Sequence, residues 1–159
     1  MGTTEKKIPL HVVMRTGAIH FEKIEGNLVE EHNGIAKQQG CVYLGKAGRR
    51  MGETKIHRVR NSIQELAASR FIVVFRERTK YKGFYAPLLD LQLHTDFTPD
   101  KKYYPKYYKN IIHDITMWFK IGVFEPVPSK KLESYLLALN NNPLLDTLRN
   151  CRTSLLLVH

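Results

Sequence analysis

Aromatic rings and lysines alternate between Phe97 and Asn110, in the sequence FTPDKKYYPKYYKN. Four tyrosines and four lysines fall within these fourteen residues. Tyrosine rings can stack on exposed bases while lysines hold phosphate groups. Packing of alternate tyrosines into a core is the competing explanation. The combination favours a surface that contacts something both flat and negatively charged, so we expect Tyr103 and Tyr104 to contact nucleic acid.

A second set of candidate residues lies between Gly45 and Lys82, where positive charge is concentrated. Eleven lysines and arginines face three acids there, which leaves +8 of the net charge of +10. A positive surface of this kind binds a phosphate backbone with an affinity that falls as salt rises. The alternative is a basic but merely solvated surface. The residues expected to hold phosphates are Lys46, Arg49, Arg50 and Arg58.

Residues for catalysis or metal binding do not form a recognisable pattern. The seven histidines are scattered, and none stands in an H-x-x-x-H arrangement. Gly-rich loops with the spacing of nucleotide-binding motifs are also missing from the sequence. Two cysteines, Cys41 and Cys151, are too few for a disulfide framework or a zinc site. We therefore expect a binding protein that is not an enzyme and uses no cofactor or metal.

Length and hydropathy limit the possible architectures. A chain of 159 residues with 43% hydrophobic residues can build one domain with a real core. The sequence has no apolar stretch of about 18 residues for a membrane span, and its first residues have no signal-peptide core. With its two cysteines read as reduced thiols, we expect a single cytoplasmic domain that does not engage membranes.

Several strands and two or three short helices are predicted to position these residues. Strands are expected at 8–14, 71–75, 82–93 and 115–124, with a closing strand in RTSLLLV and an apolar run at 41–44 that leads into the basic, glycine-rich loop. Pro87 marks an edge or a bulge. Helices are expected over 61–70, capped by Asn61 or Ser62, and from Ser129 to about Asn140. This pattern is typical of a small, β-rich α+β domain that can close into a barrel.

Five short motifs, spread in order from Cys41 to Val158, resemble those of EVE domains. They are CVYLGK, VRN, DKKYYPK, WFKIGVFEPVP and NPLLDTLRNCRTSLLLV. EVE domains belong to the PUA-like superfamily together with YTH domains. The resemblance implies an α+β fold with a small curved β-barrel and short helices packed around it. We therefore expect one PUA-like domain over residues 1–159, in which residues 1–40 are an N-terminal extension packed on the barrel.

The same resemblance implies a function. PUA-like domains of the EVE and YTH type have a pocket that takes a flipped, often methylated, base, and similar modules form the N-terminal specificity arms of McrB-type restriction systems. The chain is thus expected to bind modified duplex DNA without catalysis. Further domains C-terminal to His159, within a larger NTPase or restriction complex, are part of this expectation.

The resemblance also suggests roles for individual residues. Tyr43 stands where the family usually has tryptophan and is expected to form one wall of the pocket, with a tyrosine from 103–108 as another. Asn61 can contact a base edge through its amide, and Arg60 can contact base or phosphate. Ser62 adjoins them. Trp118, the single tryptophan, is expected to pack into the barrel and to line the pocket only if its face points away from the core.

Three functions remain open at this point. A module for modified DNA is the first, and a PUA-like RNA-binding domain is the second. The third is a fragment of an enzyme that modifies or cleaves nucleic acid.

Overall fold

Strands dominate the chain in the computed structural model, which describes residues 7–16, 28–150 and 155–159. The strands are β1 (His11–Arg15), β2 (Val42–Ala47), β3 (Arg70–Glu77), β4 (Lys80–Leu93), β5 (Ile115–Ile121), β6 (Glu125–Pro126) and β7 (Leu155–Val158). The α-helices are α1 (Leu28–Gln39), α2 (Glu53–Leu66), α3 (Ser129–Ser134) and α4 (Leu144–Asn150), and two 3-10 segments span Lys101–Tyr103 and Lys106–Asp114. None of the helices in these ranges is long and apolar enough to cross a membrane.

The strands form one curled, mixed sheet in the order β2-β5-β4-β3-β1-β7, with β6 paired to β4. β1 and β3 are parallel, and the other neighbouring pairs are antiparallel. The long β4 pairs with β3 up to Pro87 and with β5 from Leu88 onward, and the register shifts between Leu88 and Asp90. Such a bulge bends a strand and increases its twist. The result is a curled half-barrel with short helices, which confirms the predicted α+β fold class and the bulge near Pro87.

Both faces of the sheet are buried at its centre, along β3. The inner face packs against α1 and α2, with Phe71 and Val73 among its fully buried side chains. The outer face packs against α3 and α4, and there Ile72 and Val74 are fully buried. Because successive side chains of a strand point to opposite faces, burial on both sides explains why β3 is a continuous apolar run.

The predicted strands are present, but the two predicted helices have different bounds. The helix expected over 61–70 begins at Glu53, after the extended residue Gly52, and ends at Leu66, where Ala67 follows in a left-handed conformation. Asn61 and Ser62 are therefore inside α2 and do not cap it, so that prediction is wrong. The sequence signal was misread because the buried positions of α2 start earlier, at Ile56.

The second helix does begin at Ser129, as predicted, but it ends at Ser134 instead of near Asn140. Tyr135 has extended backbone angles and is buried. The next residues pair with the end of β7, where Leu136 and His159 exchange backbone hydrogen bonds of 3.2 and 2.9 Å. Tertiary pairing with β7 therefore takes over a segment whose leucine spacing suits a helix.

The N-terminal region also differs from its prediction as an extension packed on the barrel. β1 lies between β3 and β7 in the sheet, with Val12 opposite both Phe71 and Leu157. Val12 and Val13 are fully buried. Residues 11–15 are thus an interior part of the sheet.

Candidate nucleic-acid interface

Trp118 anchors an apolar cluster on the outer face of β5. It is fully buried, and its ring lies 5.2 Å from that of Tyr104 and 5.6 Å from that of Tyr108. Gly45 lies opposite it on β2, where a Cβ atom would stand 2.9 Å from Trp118 Cζ3. Glycine at this position therefore admits the indole. Trp118 Nε1 donates to His94 Nδ1 at 2.9 Å, so its polar edge is also engaged within the protein. Trp118 is therefore buried, as expected, but in this outer-face cluster and not on the inner face of the sheet.

The tyrosines between 103 and 108 divide between core and surface. Tyr104 and Tyr108 are buried, and the Tyr108 hydroxyl donates to Nε2 of the buried His32 at 3.0 Å. Tyr103 stays partly exposed. Tyr104 was expected to contact nucleic acid, but its ring packs on Trp118 instead. The lysines of this stretch remain exposed, namely Lys101, Lys102, Lys106 and Lys109.

An accessible group of rings remains beside this cluster, and we call it the aromatic patch: Tyr43, Phe97 and Tyr103. The ring of Tyr43 lies 5.3 Å from that of Phe97 and 6.4 Å from that of Tyr103. Partial burial, helped by nearby Cys41 and Asp90, raises the pKa of the Tyr43 phenol. The Tyr43 side chain is therefore neutral at physiological pH. Its ring contacts those of Phe97 and Tyr103 and remains partly exposed.

Polar side chains adjoin the aromatic patch. Lys120 is the cross-strand neighbour of both Tyr43 and Asp90, and all three are partly exposed. The Asp90 carboxylate accepts hydrogen bonds from the Leu91 amide at 2.8 Å and from Gln92 Nε2 at 3.1 Å. Our sequence reasoning did not identify Asp90, Gln92 or Lys120. The available signal was the alternation of polar and apolar residues in DLQL, which places Asp90 and Gln92 on the outer face.

Cations also approach the rings of the aromatic patch. The Lys102 ammonium lies 5.0 Å from the centre of the Tyr103 ring, which is within the range of a cation–π contact. The 3-10 turn that carries Lys101 and Lys102 is capped by Asp100, whose carboxylate accepts from the Lys102 amide at 3.1 Å. Rings and ammonium groups are thus presented side by side.

A second surface is a cavity of about 630 Å³ between the start of α2 and β7. We call it the basic cavity, since Arg49, Arg50 and Lys55 line it while Glu53 is its one acid among the lining residues. Its apolar wall is 155–157. α2 has no side-chain cap at its N-terminus, so its first amides add positive potential there. The predicted phosphate contacts Arg49 and Arg50 are both exposed at this cavity.

The remaining predicted contacts lie elsewhere. The ammonium group of Lys46 donates to the carbonyl of Ala47, and burial lowers the pKa of Lys46. Arg60 Nη2 donates to the Leu91 carbonyl at 3.2 Å, on the side of α2 that faces β4. Arg58 and Asn61 are exposed on α2.

Ser62 was among the residues expected to contact nucleic acid, but the structure buries it. It is 8% exposed, and its hydroxyl accepts from the Leu10 amide at 2.9 Å and bonds to the Ser69 hydroxyl at 3.1 Å. These bonds tie α2 to the segments that precede β1 and β3. The role of Ser62 is therefore structural.

The pocket predicted at Tyr43 and the phosphate contacts predicted at Lys46, Arg49 and Arg50 do not form one hollow in the structure. Tyr43 lies on the outer face of β2, whereas Lys46 belongs to the opposite set of side chains on that strand. The chain then turns at Gly48, which has a φ of 77°. This turn carries Arg49 away to the basic cavity, whose lining does not include Tyr43.

Among the residues that the structure describes, no three histidine, cysteine or acidic side chains come together as a metal site.

A protein-family model described as Pua-like matches residues 20–152, which runs from before α1 to just beyond α4. Comparison with curated proteins and with solved structures returns no match.

Proposed function

Because the chain belongs to the Pua-like family, we propose that it is a non-catalytic module that recognises a modified, methylated base in DNA. Pua-like domains bind nucleic acids, so the partner class is DNA or RNA. One observation carries the finer proposal. Tyr43 keeps a partly open ring beside Phe97 and Tyr103, on a base of buried aromatic residues.

We further propose that the module is of the EVE or YTH type and serves as the specificity arm of an McrB-type, modification-dependent restriction system in the cytoplasm. In this proposal other domains of the same polypeptide, beyond His159, carry out cleavage. The arm contributes binding only.

The energetics of such binding require several contacts. Flipping a base out of a duplex costs a few kcal/mol, and stacking on an aromatic ring returns about 1–3 kcal/mol. The Asp90 carboxylate can accept from the exocyclic amino group of cytosine or adenine. Burial of a methyl group adds about 0.8 kcal/mol, which by itself gives severalfold discrimination. Lys101, Lys102 and Lys120 would hold the flanking phosphates.

We expect Tyr43→Leu to lower affinity for a modified duplex by roughly 10- to 100-fold and to remove its advantage over the unmodified duplex. Leucine keeps apolar volume but has no ring to stack. Tyr43→Phe is the matched control, since it keeps the ring and should retain most of the preference. Binding is measured at fixed salt with duplexes that differ in one base, after circular dichroism confirms folding. A Tyr43→Leu variant with undiminished preference would contradict the role of Tyr43.

The basic cavity makes a different prediction. Reversing Arg49 and Arg50 to glutamate should weaken modified and unmodified duplexes alike, because phosphate contacts carry no sequence information. The slope of log affinity against log salt should flatten by about 0.9 for each phosphate that the variant no longer neutralises. The control reverses Lys37 and Lys130, two exposed cations on other helices, and so has the same net charge. Equal slopes for both variants would remove the cavity from the interface.

RNA is the second candidate partner. Unpaired RNA bases stack on aromatic side chains, and the lysine-flanked aromatic patch suits them as well. A single-stranded RNA of the same sequence, included in the titration, selects this function if it binds more tightly than any duplex. Turnover of a labelled oligonucleotide with magnesium would instead indicate an enzyme.

A further inference from the structure

The hairpin formed by β3 and β4 carries a second concentration of positive charge, far along the sheet from the aromatic patch. We call residues 76–82 the basic hairpin. Arg76, Arg78, Lys80 and Lys82 are exposed there. Glu77 is the one acid, and its carboxylate lies 3.0 Å from the Lys82 ammonium. The tip of the hairpin therefore has a clear excess of positive charge.

Arg78 adopts an unfavourable backbone conformation at this tip. β3 and β4 pair up to Glu77 and Lys80, so Arg78 and Thr79 form a two-residue turn. Arg78 has a φ of 58°, in the left-handed region that favours glycine or asparagine. For another residue this conformation is destabilising. An arginine at a position better suited to asparagine indicates that its charge has a use other than stability.

Two guanidinium groups near the tip, those of Arg76 and Arg15, are held by hydrogen bonds. Arg76 Nε donates to the Arg78 carbonyl at 3.0 Å. On the neighbouring strand, Arg15 Nη2 donates to the Tyr81 hydroxyl at 3.2 Å. Arg76 and Tyr81 are cross-strand partners and thus share one face of the hairpin. Fixing these side chains in advance lowers the entropy cost of binding an anion.

We propose that the basic hairpin is a second contact to the phosphate backbone of the same duplex that the aromatic patch reads. This inference rests on the proposed function. The two surfaces are joined by one strand, since β4 runs from Lys80 at the tip to Asp90 beside Tyr43. Ten residues of strand span at most about 33 Å, and the bulge in β4 shortens that distance. The hairpin contact is therefore placed more than about four and up to about ten base pairs from the recognised base, at about 3.4 Å per base pair.

The test uses the full chain with Arg78→Asn and Lys80→Gln combined. Asparagine tolerates the left-handed conformation, so the variant should unfold at the same temperature as the wild type or higher. On a modified duplex of about 24 base pairs we expect roughly fivefold to tenfold weaker binding and a salt slope smaller by about 0.9 for each phosphate released. A duplex of about 8 base pairs centred on the modified base should bind both proteins alike. Lys37→Gln with Arg149→Gln removes the same charge elsewhere and is the control.

The outcomes separate this inference from the proposed function. If the wild type prefers the modified long duplex and the hairpin variant matches the control variant, the hairpin contact is overturned and the proposed function stands. If the wild type shows no preference for the modified base but the hairpin variant still binds more weakly with a smaller salt slope, the proposed function fails and the hairpin contact stands. Equal weakening on the short and long duplexes would overturn the placement of the hairpin beyond the recognised base.

Discussion

Trp118→Ala is expected to lower the free energy of unfolding by about 3–5 kcal/mol. The indole is fully buried and packs against Tyr104 and Tyr108, while Gly45 provides the space for it on β2. Alanine would leave a cavity between β5 and the 3-10 segment at 106–114. A decrease of this size is a large part of the roughly 5–15 kcal/mol by which domains are usually stable. Urea denaturation followed by circular dichroism measures it.

Trp118→Phe is the matched control for this prediction. Phenylalanine keeps a ring in the cluster but removes the hydrogen bond that Trp118 Nε1 donates to His94. Since His94 is partly exposed and can bond to water instead, we expect a decrease nearer about 1–2 kcal/mol. If alanine cost no more than phenylalanine, Trp118 would not be the anchor of the apolar cluster that adjoins the aromatic patch. An affinity for modified DNA that survived in folded Trp118→Ala would likewise contradict the idea that this cluster supports Tyr43.

Acid is expected to destabilise the protein through two buried histidines. Burial lowers the pKa of His32 to about 4 and is also the main reason that the pKa of His11 falls to about 4, with the positive charge of Arg70 second. His32 Nδ1 bonds to the Leu28 carbonyl at 2.7 Å, and its Nε2 accepts from Tyr108. His11 Nδ1 accepts from the Arg70 amide at 2.9 Å. Both rings are therefore neutral in the folded protein.

The sign of the pH dependence follows from these values. An unfolded histidine has a pKa of about 6.5, so between that pH and about 4 the unfolded chain binds protons that the folded chain does not. The contribution of the two neutral histidines to the free energy of unfolding is fully present above about pH 6.5, and it is lost as the pH is lowered. At pH 4 the decrease approaches about 3 kcal/mol for each ring.

Denaturant titrations between about pH 7.5 and pH 5 measure this effect before most carboxylates titrate. Near pH 5 the two rings together should contribute a slope of about 2–3 kcal/mol per pH unit. His32→Leu removes one titrating group and should reduce that slope by about half, even if it lowers stability at neutral pH. A slope unchanged by this substitution would show that His32 is not responsible.

Several conclusions could be reached from the sequence because they depend on local composition. The apolar run at 71–75 predicts a strand, and the composition of 82–93 predicts a second one, without any knowledge of neighbours. The excess of positive charge likewise indicates a polyanionic partner whatever the fold. The order of the five motifs was enough to predict a PUA-like domain, and the match to the Pua-like family over 20–152 confirms that level of assignment.

Other properties depend on which distant residues meet. From the sequence, Tyr103 and Tyr104 are equivalent, yet one is partly exposed and the other packs on Trp118, because β5 and Gly45 create space on that side alone. Ser62 resembles a helix cap until Leu10 and Ser69 are seen to approach it. A period of two or 3.6 residues indicates that a side chain is buried but does not identify its partners.

The sequence alone determined the kind of surface this protein has, since the numbers of lysines, arginines and aromatic rings do not change on folding. Tertiary structure decided how that surface is divided. The curl of the sheet and the turn at Gly48 place Tyr43, the basic cavity and the basic hairpin in three separate regions of the surface. Proximity in the sequence places Lys46 and Arg49 beside Tyr43, but alternation along β2 and the length of β4 separate Tyr43 from Lys46 and from the basic hairpin.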